Sequence, residues 1–189
     1  MNLSRTLVTF GDTVTVSGQL AGVAIPAGGA TVTLQENPFP FKSYRVKATV
    51  KTDAAGGYFF VVQPGLYTQY RVRSSTRPAV TTAPQLVNVR HDVKLSVSDD
   101  KPRRGKKITF SGFSNPPNDG LPVKIQRRVR GGDWVTIANT GLVDAGPSFP
   151  LSSVFIVRVR VFHSVTYRAR VSGTLAYAPG TAKRKIKID

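Results

Sequence analysis

Gly11-Asp12-Thr13-Val14-Thr15-Val16-Ser17-Gly18 decides the fold of this chain. Val14 and Val16 alternate with Thr13, Thr15 and Ser17, a period of two that sends apolar side chains to one face and polar ones to the other. The octet returns as Gly105-Lys106-Lys107-Ile108-Thr109-Phe110-Ser111-Gly112, 94 residues later. Working outward, Val32-Thr33-Leu34-Gln35 matches Val123-Lys124-Ile125-Gln126 at an offset of 91. Tyr44 and Ala48 fall near Trp134 and Ala138, and Asp53 falls near Asp144. Tyr70-Arg71-Val72 matches Tyr167-Arg168-Ala169 at 97, and Val87-Asn88-Val89 matches Ile186-Lys187-Ile188 at 99. Matches that keep their order while the offset drifts mean a duplicated unit with loop changes.

The same alternation runs through Val157-Arg158-Val159-Arg160-Val161, and no helical stripe exceeds two turns. Clusters that end strands lie between the apolar runs: Ala27-Gly28-Gly29, Asn37-Pro38-Phe39-Pro40, Ala55-Gly56-Gly57, Asn115 to Gly120 and Gly131-Gly132-Asp133. The reading is all-β, with two tandem immunoglobulin-like antiparallel sandwiches at 1–91 and 92–189, each holding about seven strands. Val87 to Leu95 runs from one unit into the next without a Gly/Ser-rich or Pro-rich linker, so a stiff, elongated pair is expected. Met1 aligns with Leu95, which leaves the first strand of unit one short. The expectation is a fragment excised from a longer protein.

Composition narrows the function. With no Cys among 189 residues there is no disulfide, thiolate metal site or thiol nucleophile. His91 and His163 are the only imidazoles, which argues against zinc chemistry and His-based triads. No Gly-x-Ser-x-Gly, Walker loop or His-Glu-x-x-His occurs. The reading is therefore not an enzyme, with no cofactor and no metal. No apolar run approaches the roughly 20 residues of a membrane helix, so no membrane span is expected.

The Gly-flanked second strand, the Val-x-Leu/Ile-Gln strand, Thr52-Asp53-Ala54-Ala55-Gly56-Gly57-Tyr58 and Tyr70-Arg71-Val72 together resemble tandem immunoglobulin-like repeats of secreted and cell-surface actinobacterial proteins. The counterparts in unit two are Gly105 to Gly112, Val123 to Gln126, Tyr167 to Arg170 and the Gly131-Gly132-Asp133-Trp134 hairpin. The resemblance implies a secreted or cell-surface location and a spacer, stalk or adhesion role, with no catalytic residues. Unit two departs from it at Asp144-Ala145-Gly146-Pro147, where a different loop is expected.

Several residues have rival readings. Asp53 stands alone, so it is read as the cap of an Asx turn, with Gly56 or Gly57 at positive φ, ahead of a calcium ligand. Tyr70 and Tyr167 are read as framework residues, and His91 and His163 as solvent-facing turn residues. Phe39 and Phe41 form a candidate aromatic contact loop, or else a lid folded over the sandwich end.

Charge is uneven. Counting through Asp92, unit one has 9 basic and 4 acidic residues, or +5, while unit two has 18 and 6, or +12. Alternation sends Lys124, Arg168, Arg170, Lys185 and Lys187 outward as a candidate polyanion-binding face, extended by Arg127, Arg128 or Arg130 of the hairpin (Arg128 taken as its site residue), with Arg158 and Arg160 on the opposite sheet. Candidate partners are an anionic cell-wall polymer or other polyanion, a protein partner, or a second copy. Nucleic acid is disfavoured, because stacking aromatics and a recognition helix are missing. The bland reading, basic side chains that keep β edges soluble, is preferred. The leading function is thus a non-catalytic structural, spacer or adhesion module. A polyanion-binding module and a subunit of a fibre or virion assembly are the alternatives.

Overall fold

The structure, a computed structural model, describes residues 1–21, 28–149 and 151–189. Ala27 of the first turn cluster lies outside the described residues. The chain divides into two compact units, Met1–Val89 and Arg90–Asp189.

Unit one contains β1 (Asn2–Leu3), β2 (Leu7–Thr9), β3 (Val14–Gln19), β4 (Thr31–Pro38), β5 (Arg45–Lys51), β6 (Gly57–Val62), β7 (Thr68–Ser74) and β8 (Gln85–Arg90), whose last residue passes into unit two. One sheet runs β1-β3-β6 and the other β2-β8-β7-β4-β5. The first strand therefore splits: β1 pairs with β3, then the chain crosses to the other sheet as β2. Val14, Val16, Leu34, Tyr70, Val72 and Val87 are all nearly inaccessible and fill the space between the sheets.

Unit two repeats the plan with β9 (Asp92–Val97), β10 (Lys107–Asn115), β11 (Pro122–Arg128), β12 (Trp134–Gly141), β13 (Val143–Asp144), β14 (Ser153–Arg160), β15 (Thr166–Val171) and β16 (Gly180–Lys185). Its sheets run β13-β14-β10-β9 and β12-β11-β15-β16. These are the two sheets of an immunoglobulin-like sandwich with an added strand, β12, on the second. Ile108, Phe110, Ile125, Phe155, Tyr167, Ala169 and Ile186 form the centre of one continuous core. At roughly 25 cal/mol per Å² of apolar surface removed from water, this burial is the main cohesive term in a chain without disulfides.

The duplication reaches into irregularities. β4 and β11 each carry a register shift against their edge partner, between Leu34 and Gln35 and between Ile125 and Gln126. Such a bulge bends the edge strand and re-aims the side chains beyond it. The glycines closing the founding octets face close neighbours. A Cβ on Gly112 would collide with the Lys94 carbonyl and lie 2.7 Å from the Phe155 ring, and one on Gly18 would collide with the Tyr58 hydroxyl and lie 2.7 Å from the ring carbon that bears it.

The turns follow their chemistry. Asp53 accepts from the amides of Ala55 at 2.9 Å and Gly57 at 2.7 Å, with Gly56 at φ 83. Asp144 accepts from Gly146 at 2.9 Å, and here the positive-φ glycine comes two residues after the aspartate instead of three. One reading is overturned. His91 is 1% exposed, not a solvent-facing turn residue. Only this residue separates β8 from β9, and the burial alternation of Val87, Val89, His91, Val93 and Leu95 continues unbroken through it.

Candidate functional site

The face proposed for polyanion binding is the outer side of the β12-β11-β15-β16 sheet. Lys124 stands directly opposite Arg170, Arg168 opposite Lys183, Arg128 opposite Trp134 and Lys185 opposite Thr166. Five of the six predicted residues therefore belong to strands of this one sheet. Lys187 lies two residues past the end of β16, where its amide donates to the Asp100 carbonyl at 2.9 Å.

Arg168 is already engaged. Its Nε donates to Gln126 Oε1 at 2.7 Å, and its guanidinium carbon sits 4.2 Å from the Trp134 ring centre. Lys183 Nζ approaches the same ring at 5.8 Å. Burial first, and the Arg170 charge second, push the Arg168 pKa down from its ordinary value. Unit one builds the same stack. Arg71 Nε donates to Gln35 Oε1 at 2.7 Å and the guanidinium lies 3.8 Å over the Tyr44 ring. A Gln–Arg–aromatic element present in both units is part of the repeat's framework, and it takes Arg168 out of the freely available charge.

Phe39 and Phe41 are both half-buried and pack edge-to-face on each other, with ring centres 5.7 Å apart. Phe41 holds a φ of 61, uncommon for a non-glycine residue. Tyr167 donates from its hydroxyl to the His163 carbonyl at 3.1 Å, a corner bond of the kind sandwiches use to fix a turn. Among the described residues no group of three or more His, Asp or Glu side chains is placed to hold a metal ion.

A charge reversal between the units was missed by the sequence reading. Glu36 pairs in register with Tyr70, and Arg127 pairs in register with Tyr167. In unit one the buried Glu36 carboxylate is bridged by Arg45 at 2.9 Å and Lys47 at 3.3 Å. Unit two places a cation there instead. The signal was present one residue beyond the matched Val-x-Leu/Ile-Gln strands.

Topology and the duplicated stack define the class: a tandem pair of immunoglobulin-like β-sandwich repeats. No known protein family matches the sequence, and no curated protein does. Among solved structures, the chain is similar to a red sea bream transglutaminase at 11% identity and a TM-score of 0.44, covering 100% of this chain and 31% of that one. A tetra-tandem repeat from the extending region of a large adhesion protein gives 17% identity and a TM-score of 0.42, covering 98% of this chain and 48% of that one. The Yersinia pseudotuberculosis adhesin InvE gives 14% and 0.39, covering 97% of this chain and 57% of that one. The chain thus spans from just under a third to just over half the length of these proteins. Likeness at this level carries no argument about activity, and among the described residues no helix is long and apolar enough to cross a membrane.

Proposed function

We propose that this chain is a non-catalytic spacer or adhesion segment of a larger secreted or cell-surface protein, in which repeated sandwiches bear load and set reach. The surface location and the tie to actinobacterial repeats rest on the sequence motifs alone. The observation that carries the reading is serial duplication with each unit's ends tied together. In unit two the Lys187 amide donates to the Asp100 carbonyl at 2.9 Å and the Asp189 amide to the Pro102 carbonyl at 3.2 Å. Both partners advance by two residues, so the first and last segments of the unit run parallel. A pull applied to the two ends loads these bonds along the strands, together, instead of peeling them one at a time. In unit one the Asn88 amide donates to the Thr6 carbonyl at 2.8 Å, joining the corresponding segments.

Single-molecule stretching of the whole chain tests this. Two separate unfolding events are expected, each releasing about 30 nm of chain, from roughly 3.3–3.6 Å per extended residue. Extension without resolvable unfolding events would remove the load-bearing reading.

A second reading, polyanion binding by the β12-β11-β15-β16 face, is favoured by one observation: Lys124 stands opposite Arg170, a like-charge pair that no ion pair relieves among the described residues. Retention on an anionic polymer that falls steeply with salt, and that weakens in K124S/R170S, supports it.

A further inference from the structure

Unit two has a cleft of about 510 Å³ at one corner of its sandwich. Its lining includes Lys107 from β10, Arg127 from β11, and Arg158 and Arg160 from β14. His163 and Phe162, from the turn after β14, complete the rim, and among the described residues no carboxylate lines it. Lys107 and Arg160 stand directly opposite each other, a like-charge arrangement that destabilises a sheet unless something compensates it. Among the described residues none of these side chains is ion-paired. Among the described residues the Arg160 side chain donates to the Gly105 carbonyl alone, at 3.2 Å.

Unit one supplies the comparison. Val14 faces Val62 as Ile108 faces Val159, so Val61 and Gln63 are the counterparts of Arg158 and Arg160. Gln63 donates to the Gly11 carbonyl as Arg160 does to Gly105, which confirms the correspondence. Thr13 aligns with Lys107 and Glu36 with Arg127. The four positions thus read Thr, Glu, Val, Gln in unit one and Lys, Arg, Arg, Arg in unit two. Basic residues scattered for solubility have no reason to replace all four neighbours of one cleft.

We propose that this cleft is the binding site for an anionic polysaccharide, held by its phosphate or sulfate groups. Guanidinium forks match tetrahedral oxyanions through paired hydrogen bonds. Four close cations suit a chain with closely spaced anions better than a lone monovalent ion. Phe162, 47% exposed beside them, offers a face for a sugar ring. One aromatic ring is too little for the successive base stacking that single-stranded nucleic acid uses. The site lies apart from the sheet face of the second reading and goes beyond the spacer reading without depending on it.

The test uses the whole chain with dextran sulfate, dextran phosphate, neutral dextran and single-stranded DNA, by titration calorimetry at low and physiological salt. Binding to dextran sulfate or dextran phosphate is expected, and the stronger of the two names the natural oxyanion. R158V/R160Q, which installs the residues unit one already carries in the same fold, should weaken it by roughly tenfold or more. K101T/R103Q, which removes the same charge elsewhere on unit two, should change it by less than about threefold, as expected of general electrostatics alone. Equal losses in these two variants would overturn the cleft. A loss confined to K124S/R170S would overturn it while leaving the sheet-face reading standing. Binding to neutral dextran, or tighter binding to DNA than to either charged dextran, would overturn the polysaccharide assignment.

Discussion

The guanidinium of Arg168 stacks over Trp134, the chain's single tryptophan, with 4.2 Å between its central carbon and the ring centre. The contact joins β15 to the edge strand β12 across the intervening β11. Gln126 on β11 fixes the guanidinium in place through its 2.7 Å bond.

A double-mutant cycle of Trp134→Ala and Arg168→Ala, followed by circular dichroism in urea, should give a coupling of about 0.5–1 kcal/mol, typical of a partly exposed cation–π pair. Arg168→Ala alone should also shift the tryptophan emission to the red as the ring loses its cover. A coupling indistinguishable from zero would show the stack to be incidental.

The glycines that end the two founding octets should respond differently to a methyl group. At Gly112 the added Cβ meets the Lys94 backbone, held by the β9–β10 ladder, and the Phe155 ring. Neither can withdraw, so Gly112→Ala should cost about 3 kcal/mol or more. At Gly18 the obstacle is the far end of the Tyr58 side chain, which can turn away. Gly18→Ala should therefore cost nearer 1 kcal/mol, as a modest overpacking. Chemical denaturation of the two variants decides, and equal costs would contradict this contrast.

Much of the fold could be read from the chain because the sandwich core imposes a strict period of two. Gly11 to Gly18 and Gly105 to Gly112 announce a strand, and the second copy shows that it is not an accident. His91 shows where the reading stopped short. Residue type marked it as a polar turn residue, while its place in the alternation from Val87 to Leu95 marked it as core, and packing followed the alternation. The cleft was hidden for another reason. Arg127, Arg158 and Arg160 come from strands far apart in sequence, and alternation assigns faces without saying which strand ends meet at a corner. The Asp53 turn was legible, because a short side chain bonding to amides two and four residues on is a local matter.

Glu36 is buried, but its partners Arg45 and Lys47 have side chains 69% and 40% exposed, so solvent screens much of the attraction. Glu36→Gln should therefore cost only about 1 kcal/mol, less than the loss of a fully buried pair. Tyr70 offers a cleaner readout. Burial first, and the Glu36 charge second, push its phenol pKa far above the ordinary value. In Glu36→Gln the phenol should titrate at lower pH than in the parent, yet still above an exposed tyrosine, because burial remains. Ultraviolet titration of the tyrosines measures this, and an unmoved Tyr70 would show that the carboxylate does not act on it.

His91 packs against the Tyr177 ring with 5.1 Å between centres, and its Nδ1 lies 3.3 Å from Ser114 Oγ. Its Nε2 is buried without a hydrogen-bond partner among the described residues, a setting that suits neutral imidazole and penalises the cation. Burial accordingly lowers its pKa below the ordinary value. The unfolded chain then takes up the proton first as pH falls, so stability declines from about pH 6.5 downward, the ordinary histidine range, until the folded pKa is passed. Of the two histidines His163 is exposed and His91 is buried, so the loss of stability between pH 7.5 and 5.5 is assigned to His91. Urea midpoints of the parent should fall across this range, while those of His91→Gln, whose amide can still reach Ser114, should stay nearly level. A parent as stable at pH 5.5 as at pH 7.5 would mean that the imidazole accepts its proton inside the folded unit.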